Sequence, residues 1–175
     1  MIAECIKKML FGLSLKWIRW VQLRELHSKL SQCKRVGENV RFRFPITIYG
    51  SENLSVGDQV DVGEYTHIRA GGGLSIGDRV LIAANCIITT RSHPKGLPRY
   101  GVVTDGPIEI GDDVWIGAGV IVLPKVHIGQ GTIIGAGAVV TKDIPAHVVA
   151  TGVPARVVEK LPPDQICSSE PVLRC

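Results

Sequence analysis

Beginning at Val36, a bulky apolar residue returns at every sixth position: Val36, Phe42, Ile48, then Val56, Val62, Ile68, then Ile76, Ile82, Ile88. After a gap the series resumes as Ile110, Ile116, Val122 and Ile128, Ile134, Val140. A period of six is neither the 3.6 of a helix nor the 2 of a long strand, so each hexad supplies one short strand and one turn. Within each hexad the fifth residue is small or aliphatic as well, as at Val60, Val80, Cys86, Val114, Val120, Thr132 and Ala138. The fifth and first residues thus point inward around an outward sixth.

Grouping the hexads in threes gives 18-residue coils that start at 36, 56, 76, 110 and 128. Glycine follows the first apolar residue of every coil (Gly37, Gly57, Gly77, Gly111, Gly129), whereas the matching place in the third hexad is never glycine. Three distinguishable hexads imply a triangular coil, and the recurrent glycine is expected to let one corner take a positive φ. Composition agrees: 45% of residues are hydrophobic but only 5% aromatic, with 20 glycines, which suits stacked small units better than a single globular core. Equivalent residues of successive coils should stack about 4.8 Å apart.

The interruptions carry information too. Two residues are added before the second coil, two before the third and sixteen, residues 94–109, before the fourth, all at the same corner. The long insertion has no apolar period and holds three prolines and three glycines, so it is expected to be an excursion loop. Loops of that length in a compact repeat are usually functional.

Residues 36–158 therefore read as the repeat domain, with a segment at 1–35 ahead of it and a tail at 159–175. The net charge of +4 sits in the N-terminal segment, which holds eight Lys/Arg against two Asp/Glu. The body is nearly neutral and carries no clustered basic face for nucleic acid. Ile2, Ile6, Met9, Leu10, Leu13, Trp17, Trp20 and Val21 follow steps of three and four, which predicts an amphipathic helix with lysines and arginines beside its apolar stripe. Such a helix suits two roles: a cap over the open end of the coils, or contact of residues 1–30 with an anionic membrane. No apolar run reaches the roughly 20 residues of a membrane span, and Lys16 and Arg19 break any signal-peptide core. Five scattered cysteines without a C-x-x-C pair argue against a disulfide framework or a structural zinc, and for a reducing, cytoplasmic location.

Several motifs in 76–160 go beyond the period: Ile82-Ala83-Ala84-Asn85, Ser92-His93-Pro94, Pro107-Ile108-Glu109-Ile110-Gly111-Asp112-Asp113-Val114-Trp115-Ile116-Gly117, Gly135-Ala136-Gly137, Val140-Thr141-Lys142-Asp143-Ile144-Pro145 and Gly152-Val153-Pro154-Ala155-Arg156. This set resembles the hexapeptide-repeat acetyltransferases of the galactoside and maltose type. The resemblance implies an all-β repeat fold, a left-handed parallel β-helix with a short N-terminal helical segment, assembled as a homotrimer with acetyl-CoA between adjacent subunits. It implies His93 as the catalytic general base, by its match to the family's His-Pro. Trp115 matches the active-site tryptophan. Ala118 and Ala136 match small positions facing coenzyme A, with the Ala118 N–H a candidate oxyanion donor, while Thr141, Lys142 and Arg156 match positions near the cofactor's nucleotide end. No metal is expected.

Transfer to a hydroxyl requires a base for its proton and donors for the tetrahedral oxyanion. His127, 34 residues after His93, falls one coil above it once the sixteen-residue insertion is removed, and reads as a neighbour of the base. His67 reads as a solvated residue on another face, and Cys86 as a buried thiol rather than a nucleophile. Gly63-Glu64-Tyr65-Thr66-His67-Ile68-Arg69-Ala70-Gly71-Gly72-Gly73 departs from the free-sugar enzymes. Together with the basic N-terminal segment it is similar instead to O-acetyltransferases of surface-polysaccharide and lipopolysaccharide assembly. The expected acceptor is accordingly a saccharide hydroxyl or amine. Rival readings are an antibiotic acetyltransferase, a β-helix carbonic anhydrase, which would need three histidine ligands, and a non-catalytic scaffold.

Overall fold

The computed structural model describes residues 17, 18 and 20–162. Among these, three stacked parallel faces form a β-solenoid, as the period requires. The first face stacks Arg35–Val36, Leu54–Val56, Leu74–Ile76, Ile108–Ile110 and His127–Ile128. The second stacks Arg41–Phe42, Asp61–Val62, Leu81–Ile82, Trp115–Ile116, Ile133–Ile134 and Val148–Thr151, on which Arg156–Lys160 folds back antiparallel. The third stacks Thr47–Tyr49, His67–Arg69, Ile87–Thr89, Ile121–Val122 and Val139–Val140. Every coil-starting residue lies on the first face, every second-hexad residue on the second and every third-hexad residue on the third.

The periodic residues fill the axis. Ile48, Val56, Val62, Ile68, Ile88, Ile116, Val122, Ile128 and Ile134 are buried to 1% exposure or less, with Val60, Val80, Val114 and Val120 between them. Each such side chain contributes about 1.5–3 kcal/mol by leaving water. Thr132 takes a fifth position at no cost in unpaired polarity, since its hydroxyl donates to the Pro145 carbonyl at 2.8 Å.

The corner glycines are present for a different reason from the one expected. Gly37, Gly57, Gly77, Gly111 and Gly129 do not have positive φ; that conformation falls two residues later, at Asn39, Gln59, Arg79, Asp113 and Gly131. What the glycines permit is close stacking: a Cβ on Gly57 would lie 2.6 Å from the Gly77 carbonyl oxygen of the next coil. The same corner is sewn by carboxylates. Asp58 Oδ1 accepts from the Glu38 N–H at 2.8 Å, Asp78 from Asp58 at 2.8 Å and Asp112 from Asp78 at 2.9 Å.

An element packs at each end of the solenoid. Residues 20–30 are helical, and Leu26, Leu30 and Cys33 pack against the core at the first coil. Lys29 fixes the helix to that coil through a 2.7 Å bond from Nζ to the Ile48 carbonyl. Capping is thus carried by the last turns, while Trp17, Ile18, Trp20, Val21 and Leu23 remain exposed. The earlier part of the apolar stripe, Ile2 to Leu13, lies outside the described residues. At the other end, the antiparallel Val148–Thr151 and Arg156–Lys160 pair closes the second face, so regular structure extends past residue 158.

Candidate active site

The excursion is a β-hairpin. Arg91–Ser92 pairs antiparallel with Thr104–Asp105, and Arg91 forks onto Asp105 at 2.9 and 3.4 Å. Its base is closed by the Gly106 N–H donating to the Thr90 carbonyl at 2.9 Å. Thr90, fully buried, donates its hydroxyl to the Arg69 carbonyl and accepts from the Gly72 N–H, both at 2.8 Å. The branch therefore starts before His93 and ends before Pro107. Ile108 and Glu109, which the spacing places in the insertion, belong with Ile110 to an ordinary strand of the first face.

His93 stands on this hairpin, exposed, with Nδ1 2.7 Å from the Val102 carbonyl oxygen. A carbonyl has no proton to give, so in the neutral ring Nδ1 carries the hydrogen and donates it. Nε2 is left with the lone pair, the arrangement a general base requires. The orienting group is a backbone atom from within the loop, which no side-chain motif could reveal.

His127 is not in the column of His93. Its register partner is Glu109, followed by Ser75 and Ser55 down the first face. Its Nδ1 lies 3.3 Å from Glu109 Oε2, and its N–H donates to Asp143 Oδ1 at 2.8 Å. The chain branches at Thr90 rather than after His93, which puts Glu109 below His127 in the stack. His67 is half-buried against the Tyr49 ring, at 5.6 Å between centroids, rather than solvated. Cys86 is fully buried with Sγ 3.2 Å from the Gly117 carbonyl, and burial pushes its thiol up, away from the thiolate.

The remaining site residues fall into two groups. Trp115 projects from the second face, half exposed, beside a cleft of about 310 Å³ lined by Arg43, Asp61, Glu64, Leu81 and Ala84. Arg43 forks onto Asp61 at 2.9 and 2.8 Å and holds that carboxyl below the usual range. Ala118 and Ala136 lie exposed at the corner between the second and third faces, in a column with Ala84 built by Gly119 N–H to Ala84 O and Gly137 N–H to Ala118 O. Among the described residues the Ala118 N–H has no hydrogen-bond partner. Arg156 begins the last strand of the second face, paired with Thr151. Thr141 and Lys142, both exposed, sit instead at the corner between the third and first faces, the corner from which the His93 hairpin leaves. His93, Thr141 and Lys142 thus share one corner, and Trp115, Ala118, Ala136 and Arg156 lie around another. Among the described residues, no three His, Cys, Asp or Glu side chains converge to hold a metal ion.

The solenoid and its motifs can be placed among known proteins. Residues 107–142 match the family described as bacterial transferase hexapeptide (six repeats), and residues 54–90 match the hexapeptide repeat of succinyl-transferase. The galactoside O-acetyltransferase of Escherichia coli is 40% identical over 128 residues, covering 72% of this chain and 63% of that protein. A galactoside acetyltransferase solved in complex with coenzyme A superposes with a TM-score of 0.75 at 35% identity, covering 81% of this chain and 72% of that one. The chain belongs to the hexapeptide-repeat acetyltransferases. A further family member, a Vibrio cholerae acetyltransferase solved with acetyl coenzyme A, gives a TM-score of 0.75 at 26% identity, covering 81% of this chain and 78% of that one. The chain spans less than two-thirds of the length of the curated relatives described first, 63% of the Escherichia coli enzyme and 44% of a putative acetyltransferase of Schizosaccharomyces pombe.

Proposed function

We propose that this protein transfers an acetyl group from acetyl-CoA to a saccharide hydroxyl, in the assembly of a surface polysaccharide or lipopolysaccharide. The observation that carries the reading is the His93 Nδ1–H bond to the Val102 carbonyl, which turns an exposed histidine into an oriented base. The acceptor O–H proton passes to Nε2 as the oxygen attacks the thioester carbonyl. The Ala118 N–H donates to the oxyanion, the carbon–sulfur bond breaks, and the coenzyme thiolate takes the proton back from the imidazolium. Thr141, Lys142 and Arg156 serve the nucleotide end, where cations pair with phosphates.

The division of the site between two corners supports a homotrimer. One chain cannot bring its own Trp115–Ala118–Ala136 group onto its own His93 hairpin, but a neighbouring copy can supply it. Leu81 and Trp115 on the second face and Ile87 on the third are exposed apolar residues suited to such packing. A purified chain offered acetyl-CoA and a panel of mono-, oligo- and lipid-linked saccharides should release coenzyme A only when a saccharide is present. Release that needs an aminoglycoside-type amine instead, or none with any saccharide, would overturn the reading.

Lipid-linked acceptors also give the N-terminal helix a role at an anionic membrane surface. Trp17 and Trp20, exposed at 64% and 47%, stack at 5.2 Å, with the Arg24 guanidinium 5.0 Å over the Trp20 ring. Amphipathic indoles beside cations suit the headgroup boundary. In flotation, the protein should rise with anionic but not neutral vesicles, and Trp17→Ser with Trp20→Ser should abolish this without loosening the cap formed by Leu26 and Leu30. Equal flotation of the double variant would remove the membrane from the account.

A further inference from the structure

A cationic aromatic cluster outside the groups above lies on the third face, below the hairpin. Tyr49 and Arg69 are register partners, and Arg69 is in turn the partner of Thr89. The Arg69 guanidinium lies 5.7 Å from the Tyr49 ring centroid, and the Lys29 ammonium, reaching across from the cap helix, lies 5.3 Å from it. Two cations on one phenol ring repel each other unless an anion lies between or beside them. Lys29 has Glu25 at 3.5 Å. Arg69 has no carboxylate within 4.0 Å among the described residues, whereas Arg41 and Arg43 on the coil before it and Arg79 and Arg91 on the coil after it each have one. His67, which faces the same ring, is pushed down by burial and then by the Arg69 charge, so it stays neutral at neutral pH. The cluster therefore holds one uncompensated positive charge, on Arg69, while Lys29 and Tyr49, together with Glu25, line a cleft of about 350 Å³ between the cap helix and the first coil.

Its position ties it to the hairpin. The Arg69 carbonyl accepts from both the N–H and the hydroxyl of Thr90, at 2.9 and 2.8 Å, three residues before His93. At about 4.8 Å per strand, the cluster lies one to two strand spacings below the root of the hairpin that carries the base. We propose that Arg69, Lys29 and Tyr49 form an anion subsite for the acceptor, which takes a phosphoryl group borne by the saccharide whose hydroxyl His93 deprotonates. The guanidinium presents a planar fork of donors, and the ammonium, anchored on the Ile48 carbonyl, adds a second positive charge against the same phenol ring. The proposal rests on the acetyl-transfer reading for its chemistry but not for its ligand.

The test measures binding and turnover on the full chain. At low salt, the ³¹P signal of glucose 1-phosphate should broaden on adding the protein. Arg69→Gln should weaken this binding roughly 10- to 100-fold, the range for losing a hydrogen bond to a charged group, and Arg69→Lys should restore part of it. In turnover, the ratio of kcat/KM on glucose 1-phosphate to that on methyl glucoside should fall by a similar factor in Arg69→Gln. No broadening with the unaltered chain, equal broadening in Arg69→Gln, or an unmoved ratio overturns the subsite. Phosphate binding that depends on Arg69 without acetylation of any saccharide upholds the subsite and removes the acetyl-transfer reading instead. A higher kcat/KM on a polyprenyl-diphosphate sugar than on the sugar 1-phosphate upholds the subsite and assigns its anion to a lipid carrier; the reverse upholds it with a soluble sugar phosphate.

Discussion

Acetyl transfer by the His93→Ala chain is expected to fall roughly 10²- to 10⁴-fold, the usual contribution of a positioned general base, with coenzyme A affinity changed by no more than a few-fold. The side chain is exposed and packs nothing in the axial core, so its loss removes proton transfer and little else. Turnover and coenzyme A binding measured on the same preparation separate the two effects. His127→Ala is the matched control. That histidine lies on the first face against Glu109 and Asp143 rather than on the hairpin, and its removal should cost far less. A larger loss from His127→Ala than from His93→Ala would move the base to the His127–Glu109 pair.

Deleting Lys95–Thr104 should be at least as damaging to activity while leaving the solenoid and its assembly intact. The deletion takes away the Val102 carbonyl that holds Nδ1–H, and the Thr104 half of the pairing with Ser92. With neither, the imidazole is free to rotate and to exchange tautomers, and a base displaced by even 1 Å from its productive geometry loses much of its effect. Stability should hardly change, because Leu97, Tyr100, Val102 and Val103 are all exposed and the buried core resumes only at Ile108. Circular dichroism, melting temperature and gel-filtration size should match those of the full chain. Full turnover on the same acceptor would show that the loop does not orient the base, and collapse of the fold would show that the loop supports the core.

The period made the architecture legible because a solenoid repeats one physical problem fifteen times. Every residue from Val36 to Val140 in the hexad series lies on the face its place in the coil assigns. Features set by contacts between coils were harder to read. Gly57 is glycine because the Gly77 backbone passes too close for a Cβ, and the turn beside it is made by Gln59, whose side chain gives no hint of a positive φ. The aperiodic insertion was legible as a loop, but its branch point was not. Thr90 and Gly106 define it through a backbone bond that spacing does not show, so a branch at Pro94 puts His127 in the wrong column and separates Ile108 and Glu109 from the strand they share with Ile110. The His-Pro context of His93 pointed to a base as an expectation of the family resemblance. Its partner was not legible, because any residue at 102 offers the same carbonyl.

All three interruptions of the coil lie along one seam: the short turn Ser51–Asn53, the Gly71–Gly73 turn and the hairpin rooted at Thr90, each between the third face and the first. The Gly57–Asp78 corner and the Ala84–Ala118–Ala136 corner keep constant spacing from coil to coil. Because closing a longer loop costs little more than closing a short one, this seam can gain or lose residues without altering the pitch of the stack. The scaffold is therefore divided between a part that holds register and a part that can be rewritten. Substrate preference can diverge along a single edge, by changes in loop length as readily as by point substitution, while the inward residues that make the fold remain untouched.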